Sequence, residues 1–350
     1  MALIQINMMS ESLLRTVTVN AVIPFDKLPI LFLLMGLAAL ACAAGYFFCS
    51  PMPIVRLLRR GGDAPSGWPA GEEDALRRVE VFRDLPYASP YGRNTYDLYL
   101  PRERTNRPLP MVVWVHGGAF VAGSKSGVEN WAACLAARGM AVAAVEYQWA
   151  PEAHWPAQVE QIGQCVGALA GDPRLDLGRV AIAGDSAGAH MAAQFALIHT
   201  SPAFREDTGL EPVLAPGALR GALLLCGPYD IGQMAHPQSR FLRIAMHRIG
   251  WSYLGRRRWR DTPQAKATVI RDYVTGEFPP AFITDGNTGS FESQGRALAE
   301  ALRAAGVRVD GLFFPAEEGE ISHEYQFRMD RPEGRRCYDR ALTFLKEAFS

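Results

Sequence analysis

The stretch VAIAGDSAGAHMAAQFALI, residues 180–198, decides the fold because it sets a serine between two different hydrophobic patterns. The run Val180–Ala183 predicts a short buried strand, and the apolar run that begins at Ala187 predicts a helix. Between them, Gly184–Gly188 form a G-x-S-x-G motif in the strand-turn-helix setting that this motif requires. Small residues on both sides permit a tight turn, which would expose the hydroxyl of Ser186. The stretch therefore predicts a nucleophilic serine.

Short apolar segments alternate with helical segments on both sides of this stretch. Such alternation is typical of an alpha/beta fold with a mostly parallel central sheet and helices on both faces. The chain has 350 residues, of which 49% are apolar, and this is enough for one large domain of that class. Seven strands are predicted, at Tyr96–Leu100, Met111–His116, Ala141–Tyr147, Val180–Gly184, Ala222–Cys226, Ala281–Thr284 and Val309–Phe314.

Charge and cysteine usage argue against several other classes of protein. The chain carries 36 Lys and Arg against 36 Asp and Glu, so its net charge gives no reason to expect nucleic-acid binding. Its six cysteines include no C-x-x-C pair, and no group of residues has zinc-ligand spacing. We therefore expect no metal, no cofactor and no nucleic-acid partner.

The N-terminal part of the chain contains an uncharged apolar run, LPILFLLMGLAALACAAGYFF, that begins at Leu28. A membrane-spanning helix needs about 20 such residues, whereas the core of a signal peptide usually has only about 7–15. We therefore predict a leader at 1–27, a membrane anchor at 28–49, a linker at 50–75 and the main domain at 76–350. A cleaved signal peptide and an apolar cap over the functional site are the alternatives.

Cations beside the apolar run predict its orientation in a membrane. Arg56, Arg59 and Arg60 follow the run with no nearby acid, whereas the two cations before it are offset by two acids. Because cations favour the cytoplasmic side, we predict a single-pass protein with a cytoplasmic main domain. Export of that domain is the alternative.

One segment of the main domain is too long for a plain crossover between strands. More than fifty residues separate Cys226 from Ala281, which predicts an insertion at about 232–278 that could cap the functional site. Its basic stretch Arg256–Arg260 contains a tryptophan and fits either a solvated helix end or contact with anionic lipid.

A glycine pair after a predicted strand indicates how the site would stabilise negative charge. In HGGAF, residues 116–120, Gly117 and Gly118 let backbone N–H groups approach a carbonyl oxygen without an intervening Cβ. The N–H of Ala187, at the start of the helix after the serine, would also be free to bind developing negative charge. We predict an oxyanion hole formed by Gly117, Gly118 and Ala187.

Three motifs occur in a fixed order along the chain: HGGAF (116–120), EYQWAPEAHWPA (146–157) and GDSAG (184–188). In these motifs the chain resembles the hormone-sensitive-lipase-like branch of the alpha/beta hydrolases, from about Val79 to the C-terminus. That branch contains microbial esterases and acetyl esterases of carbohydrates. The resemblance implies an alpha/beta-hydrolase fold and the hydrolysis of short acyl esters.

The general base must follow the serine in the chain order of this fold, which is serine, acid, histidine. Among seven histidines, His323 alone follows the last predicted strand, at Val309–Phe314. We therefore predict that His323 removes the proton from Ser186 and returns it to the leaving group.

The acid is the point at which the sequence departs from the family it resembles. The family's usual aspartate would align with Gly289, within DGNTGSFESQG at 285–295. Glu292 lies one helical turn beyond that position with a longer side chain, and we predict it as the acid. Asp285, at the end of the preceding strand, is the alternative, and Asp230 is a third candidate. The absence of any acid also stays open.

We therefore expect a serine carboxylic-ester hydrolase that acts on a small-molecule ester and meets the membrane through its N-terminal helix. A membrane-associated lipid deacylase or amidase is one alternative, because of the apolar run and the basic stretch. A catalytically silent binding protein of the same fold is another, because the usual aspartate is missing at Gly289.

Overall fold

The computed structural model describes residues 2–10, 15–23, 27–61, 66–103, 107–235 and 239–350. These residues form two compact units, Met1–Pro53 and Ile54–Ser350.

The first unit contains an antiparallel pair of strands and an apolar helix. Strands β1 (Ala2–Ser10) and β2 (Arg15–Ile23) pair within the predicted leader, of which residues 1, 11–14 and 24–26 lie outside the described residues. Helix α1 (Leu28–Cys49) is, in the described part of the chain, the one helix long and apolar enough to span a membrane. An N-terminal signal sequence would have the same properties, so both assignments of residues 28–49 stay predictions.

The second unit is built on an eight-stranded sheet in the order β10-β9-β8-β7-β5-β6-β4-β3. The strands from β5 to β10 run parallel, and β4 and β3 extend one edge antiparallel. This confirms the predicted fold class and all seven predicted strands. The strands are β3 (Val79–Pro86), β4 (Thr95–Pro101), β5 (Leu109–Val115), β6 (Ala141–Val145), β7 (Leu175–Asp185), β8 (Leu219–Leu225), β9 (Ala281–Asp285) and β10 (Val309–Phe313).

Helices cover both faces of the sheet. In β5, Val113 and Val115 pack in the core that contains α5, α6 and α10, whereas Val112 and Trp114 pack in the core that contains α4 and α11. Because both faces are buried, the parallel strands appear in the sequence as unbroken apolar runs. The helices are α2 (Met52–Leu58), α3 (Ala75–Arg78), α4 (Glu129–Ala136), α5 (Ala157–Leu169), α6 (Ala187–Thr200), α7 (Pro202–Thr208), α8 (Arg240–Leu254), α9 (Pro263–Lys266), α10 (Glu292–Ala304) and α11 (Pro332–Phe349).

Part of the predicted linker belongs to this folded unit. Glu72 is buried, and its carboxylate pairs with the guanidinium groups of Arg78 and Arg138. The N–H of Gly67 donates to the carbonyl oxygen of Phe327 at 2.7 Å. A buried carboxylate with two cationic partners fixes this segment onto the domain, so it is not a free tether.

The region predicted as an insertion contains α8 and α9 between two 3-10 segments, Ile231–Ala235 and Ile270–Tyr273. Trp259 is fully buried and its indole N–H donates to the carbonyl oxygen of His247 at 3.0 Å. The basic stretch therefore exposes its arginines but not its tryptophan.

Candidate active site

The serine lies on a one-residue turn between β7 and α6. Ser186 has φ 49° and ψ −119°, and its N–H donates to the carbonyl oxygen of Leu225 at 2.8 Å. A Cβ on Gly184 would lie 2.4 Å from the backbone of Gly188, and a Cβ on Gly188 would lie 2.0 Å from the carbonyl oxygen of Val115. Only glycine fits at these two positions, which is the packing reason for the G-x-S-x-G pattern.

The structure brings the predicted nucleophile and the predicted base together. His323 lies in the loop after β10, and its Nε2 is 3.0 Å from Oγ of Ser186. Burial lowers the pKa of His323 to about 4, and the ring of Phe291 packs edge-on at 5.4 Å. The imidazole is therefore neutral near pH 7, the form in which Nε2 can accept a proton.

The structure does not bring the predicted acid, Glu292, to the base. Its carboxylate accepts a hydrogen bond from Arg296, one turn further along α10, at 2.7 Å. Asp230 is likewise engaged elsewhere, because it accepts from Gln233 at 2.7 Å. Within the described part of the chain, no carboxylate oxygen makes a hydrogen bond with His323.

A serine that sequence reasoning missed occupies the far side of the histidine. Oγ of Ser290 is 2.6 Å from Nδ1 of His323, and the same hydroxyl donates to Oδ1 of Asp285. Asp285 is thus linked to the base through one hydroxyl. The only signal in the sequence is that Ser290 directly follows Gly289, the position at which the acid was sought.

Asp285 is fully buried at the end of β9. The N–H of Gly286 donates to its Oδ1 at 2.8 Å, whereas its Oδ2 has no hydrogen-bond partner among the described residues. Burial raises the pKa of this carboxyl to about 7. Its ionisation is therefore near balance at neutral pH.

One of the predicted oxyanion donors is already in use. The N–H of Gly117 donates to Oδ2 of Asp185 at 2.7 Å, and the indole N–H of Trp114 donates to Oδ1 at 2.8 Å. Asp185, the residue before the nucleophile, therefore ties the glycine loop to the serine turn. Because its N–H is engaged, Gly117 cannot offer it to a substrate.

Three other N–H groups have no acceptor among the residues that the structure describes: those of Gly118, Ala119 and Ala187. Gly118 and Ala119 have φ values of 115° and 53°, and all three residues line the cavity that contains Ser186. Gly118 and Ala187 were predicted as oxyanion donors, whereas Ala119 was not.

Residues of the motif EYQWAPEAHWPA contact His116, the first residue of the glycine loop. Nε2 of His116 lies 3.2 Å from Oε1 of Glu146, and the hydroxyl of Tyr147 donates to the carbonyl oxygen of His116 at 2.9 Å. The rings of His116 and Tyr147 stack with their centres 4.3 Å apart. These contacts explain why the two motifs occur together.

The serine and the histidine open into a cavity of about 1110 Å³. This volume exceeds the roughly 300–1000 Å³ that is typical of small-molecule sites. Helix α8 supplies part of the wall, so the insertion contributes to the site. Apolar residues that line the cavity include Leu58, Phe120, Trp149, Met234, Leu242, Met246, Ile249, Phe291 and Phe327.

Comparison with known proteins identifies relatives of the same fold. Residues 112–320 match a family model described as the alpha/beta hydrolase fold. The chain is 28% identical to esterase LipQ of Mycobacterium tuberculosis over 236 residues, which are 64% of this chain and 53% of LipQ. It is also 28% identical to an acetyl-hydrolase of Streptomyces hygroscopicus over 258 residues, which are 73% of this chain and 81% of that protein. The match to LipQ thus spans about half of that protein's length.

Solved structures share the architecture. Esterase B from Lactobacillus rhamnosis has a TM-score of 0.68 at 21% identity, with 92% of this chain and 96% of that chain covered. An esterase from Pyrobaculum calidifontis has a TM-score of 0.61 at 22% identity, with 86% and 90% covered. At these identities the likeness shows the fold, while the named relatives support a carboxylic-ester hydrolase.

Proposed function

Because this chain belongs to the alpha/beta-hydrolase family, we propose that it hydrolyses carboxylic esters with Ser186 as nucleophile and His323 as general base. The observation that carries the proposal is the 3.0 Å contact between Oγ of Ser186 and Nε2 of His323. Burial lowers the pKa of His323, so its ring is neutral near pH 7 and Nε2 is in the form that can accept the serine proton. The names esterase and acetyl-hydrolase among the relatives point the same way.

The reaction proceeds through an acyl-enzyme. Oγ of Ser186 attacks the ester carbonyl while His323 takes its proton, and the tetrahedral oxyanion accepts hydrogen bonds from Gly118, Ala119 and Ala187. His323 then gives the proton to the leaving alcohol. Water attacks the acyl group by the same steps, which releases the acid and restores the serine.

We infer a substrate with a short acyl group on a larger apolar alcohol. The relative named acetyl-hydrolase supports a short acyl group. The cavity of about 1110 Å³, with Leu242, Met246 and Ile249 in its wall, has room for far more than a small ester. Burying such an alcohol stabilises binding by roughly 25 cal/mol for each Å² of apolar surface.

A second candidate is a lipid deacylase that acts at a membrane. The apolar helix α1 and the apolar cavity wall favour a lipid substrate, and therefore favour this candidate over an amidase. In this reading the protein is single-pass with a cytoplasmic main domain, and export after signal cleavage is the alternative. Faster turnover of an ester in vesicles than of the same ester in solution would favour this candidate.

The test is hydrolysis of p-nitrophenyl acetate, butyrate and octanoate by the full chain in detergent, beside Ser186→Ala. We expect Ser186→Ala to lower kcat by at least about 10³-fold, since removal of a serine nucleophile commonly has effects of that order. Rates across the three esters would give the acyl preference. A folded full chain no faster than Ser186→Ala would instead support a catalytically silent binding protein.

A further inference from the structure

We propose that Ser290 is a positioning residue whose hydroxyl, backed by Asp285, holds the His323 ring in the tautomer that ester hydrolysis requires. The inference rests on the proposed function, because it assigns a role toward the same base. In this arrangement the hydroxyl of Ser290 stands between the histidine and the carboxylate. The sequence predicted instead that a carboxylate at Glu292 would contact the histidine directly.

Among the described residues, the polar side chain that contacts Nδ1 of His323 is that of Ser290. It lies 2.6 Å from Nδ1 of His323 and also bonds Oδ1 of Asp285. Glu292 is held by Arg296 on α10, outside this chain of hydrogen bonds. Gly289 has no side chain, and a Cβ there would meet nothing within 4 Å.

The direction of these bonds follows from proton counting. A hydroxyl has one proton, and an ionised carboxylate can only accept. With Asp285 ionised, Ser290 must donate to it, so a lone pair on Oγ of Ser290 accepts the proton on Nδ1 of His323. Nε2 is then unprotonated and faces Ser186, ready to accept its proton.

Protonation of Asp285 at Oδ1, the oxygen that Ser290 contacts, reverses the direction of these hydrogen bonds. The carboxyl proton then donates to Oγ of Ser290, and the hydroxyl proton of Ser290 turns toward Nδ1. The ring proton of His323 is thereby placed on Nε2, from which it cannot accept a proton from Ser186. Ionisation of Asp285 therefore selects the productive tautomer through Ser290.

The groups around Asp285 leave it free to titrate in the neutral range. Burial raises the pKa of the Cys226 thiol and of the Tyr229 phenol, so both stay neutral. Burial, with a smaller contribution from the negative charge of Glu292, raises the pKa of Asp285 to about 7. That of His323 is lowered to about 4. Asp285 therefore changes charge between pH 5 and 8, at two hydrogen bonds from Nδ1 of the base.

The matched pair Ser290→Thr and Ser290→Val tests the hydroxyl, because the two side chains have the same shape and differ only in that group. In the full chain we expect Val to lower kcat on p-nitrophenyl acetate by about 10²-fold with little change in KM, whereas Thr retains most of the activity. Thr288→Ala is the control, since that hydroxyl lies in the same loop but bonds Asn287 at 2.9 Å.

The pH profile supplies a readout that a merely structural role would not move. We expect kcat of the unaltered chain to fall below about pH 7, and that limb to disappear in Ser290→Val and in Asp285→Asn. Equal activity of the Thr and Val variants, or an unchanged limb in Val, would overturn the proposal. Either result would leave ester hydrolysis by Ser186 intact, whereas loss of Ser186-dependent hydrolysis in the unaltered chain would remove the proposed function itself.

Discussion

The nucleophile side of the site and its base side are held by different kinds of structure. Ser186 is positioned by close backbone packing, with Gly188 against the backbone of β5. His323 lies in a loop and is oriented by one side-chain bond to Ser290, 33 residues earlier in the chain. Close backbone packing demands particular residues at fixed local spacing, whereas a side-chain contact between distant loops leaves no such pattern.

Among the variants that compare the two sides and leave Ser186 in place, Gly188→Ala, which adds one methyl group on the nucleophile side, should have the largest effect on activity. In Gly188→Ala the new Cβ would lie 2.0 Å from the carbonyl oxygen of Val115, so the backbone of the turn must shift. We expect a loss of about 1–3 kcal/mol in the free energy of unfolding, and at least about 10²-fold in kcat because the geometry is displaced.

Gly167→Ala is the matched control, because a Cβ at that position in α5 would meet nothing within 4 Å. It should stabilise the helix by about 0.5–1 kcal/mol without loss of activity. Urea unfolding and ester hydrolysis measure both variants. Normal activity in Gly188→Ala would show that Ser186 does not depend on close backbone packing for its position.

A substitution on the base side should stabilise the protein while it impairs catalysis. The pKa of Asp285 is raised from 3.8 to about 7, so the folded state loses stability as pH rises through that interval. Asp285→Asn cannot ionise, and we expect it to be more stable at pH 8 by about 1–4 kcal/mol. The gain should shrink below pH 7 and vanish near pH 4.

Urea unfolding of both forms at pH 8 and at pH 4 checks this expectation. A variant less stable than the unaltered chain at pH 8 would mean that the hydrogen bonds to Asp285 outweigh the cost of burying its charge.

The smallest effect on stability and activity is expected at Glu292, the residue that the sequence predicted as the acid of the site. Glu292→Gln removes a partly exposed ion pair with Arg296 on α10. We expect less than about 0.5 kcal/mol in stability and less than about twofold in kcat. A loss of kcat by orders of magnitude would instead show that Glu292 reaches His323 during turnover.

The sequence predicted the parts of the molecule that local patterns encode. All seven predicted strands are present. The strands β1 and β2 of the N-terminal unit were not predicted, and in the main sheet the edge strand β3 was missed, where a register shift between Phe82 and Leu85 interrupts the pairing. Ser186 and His323 were predicted because the turn and the chain order restrict them, and the structure places their side chains 3.0 Å apart. Glu292 was chosen by helical spacing alone, which does not reveal that Arg296, four residues on, holds its carboxylate.

The glycine loop at 116–120 also shows what local sequence patterns do not predict. The glycine pair is visible in the sequence, but the use of the Gly117 N–H depends on Asp185, 68 residues later. No local pattern reveals which of two adjacent N–H groups is already occupied. Only the fold shows that the open donors are Gly118 and Ala119.

Helix α8 faces the cavity from outside the sheet and carries none of the groups that perform the reaction. Its cavity-lining residues Leu242, Met246 and Ile249 can therefore vary while Tyr253, at its C-terminal end, keeps its stacking contact with Phe120 of the glycine loop. Exchange of these three side chains would change the space for the alcohol group and leave the serine and the histidine in place. The residues that select the alcohol group and the residues that act on the ester bond therefore lie on different segments, and each set can change independently of the other.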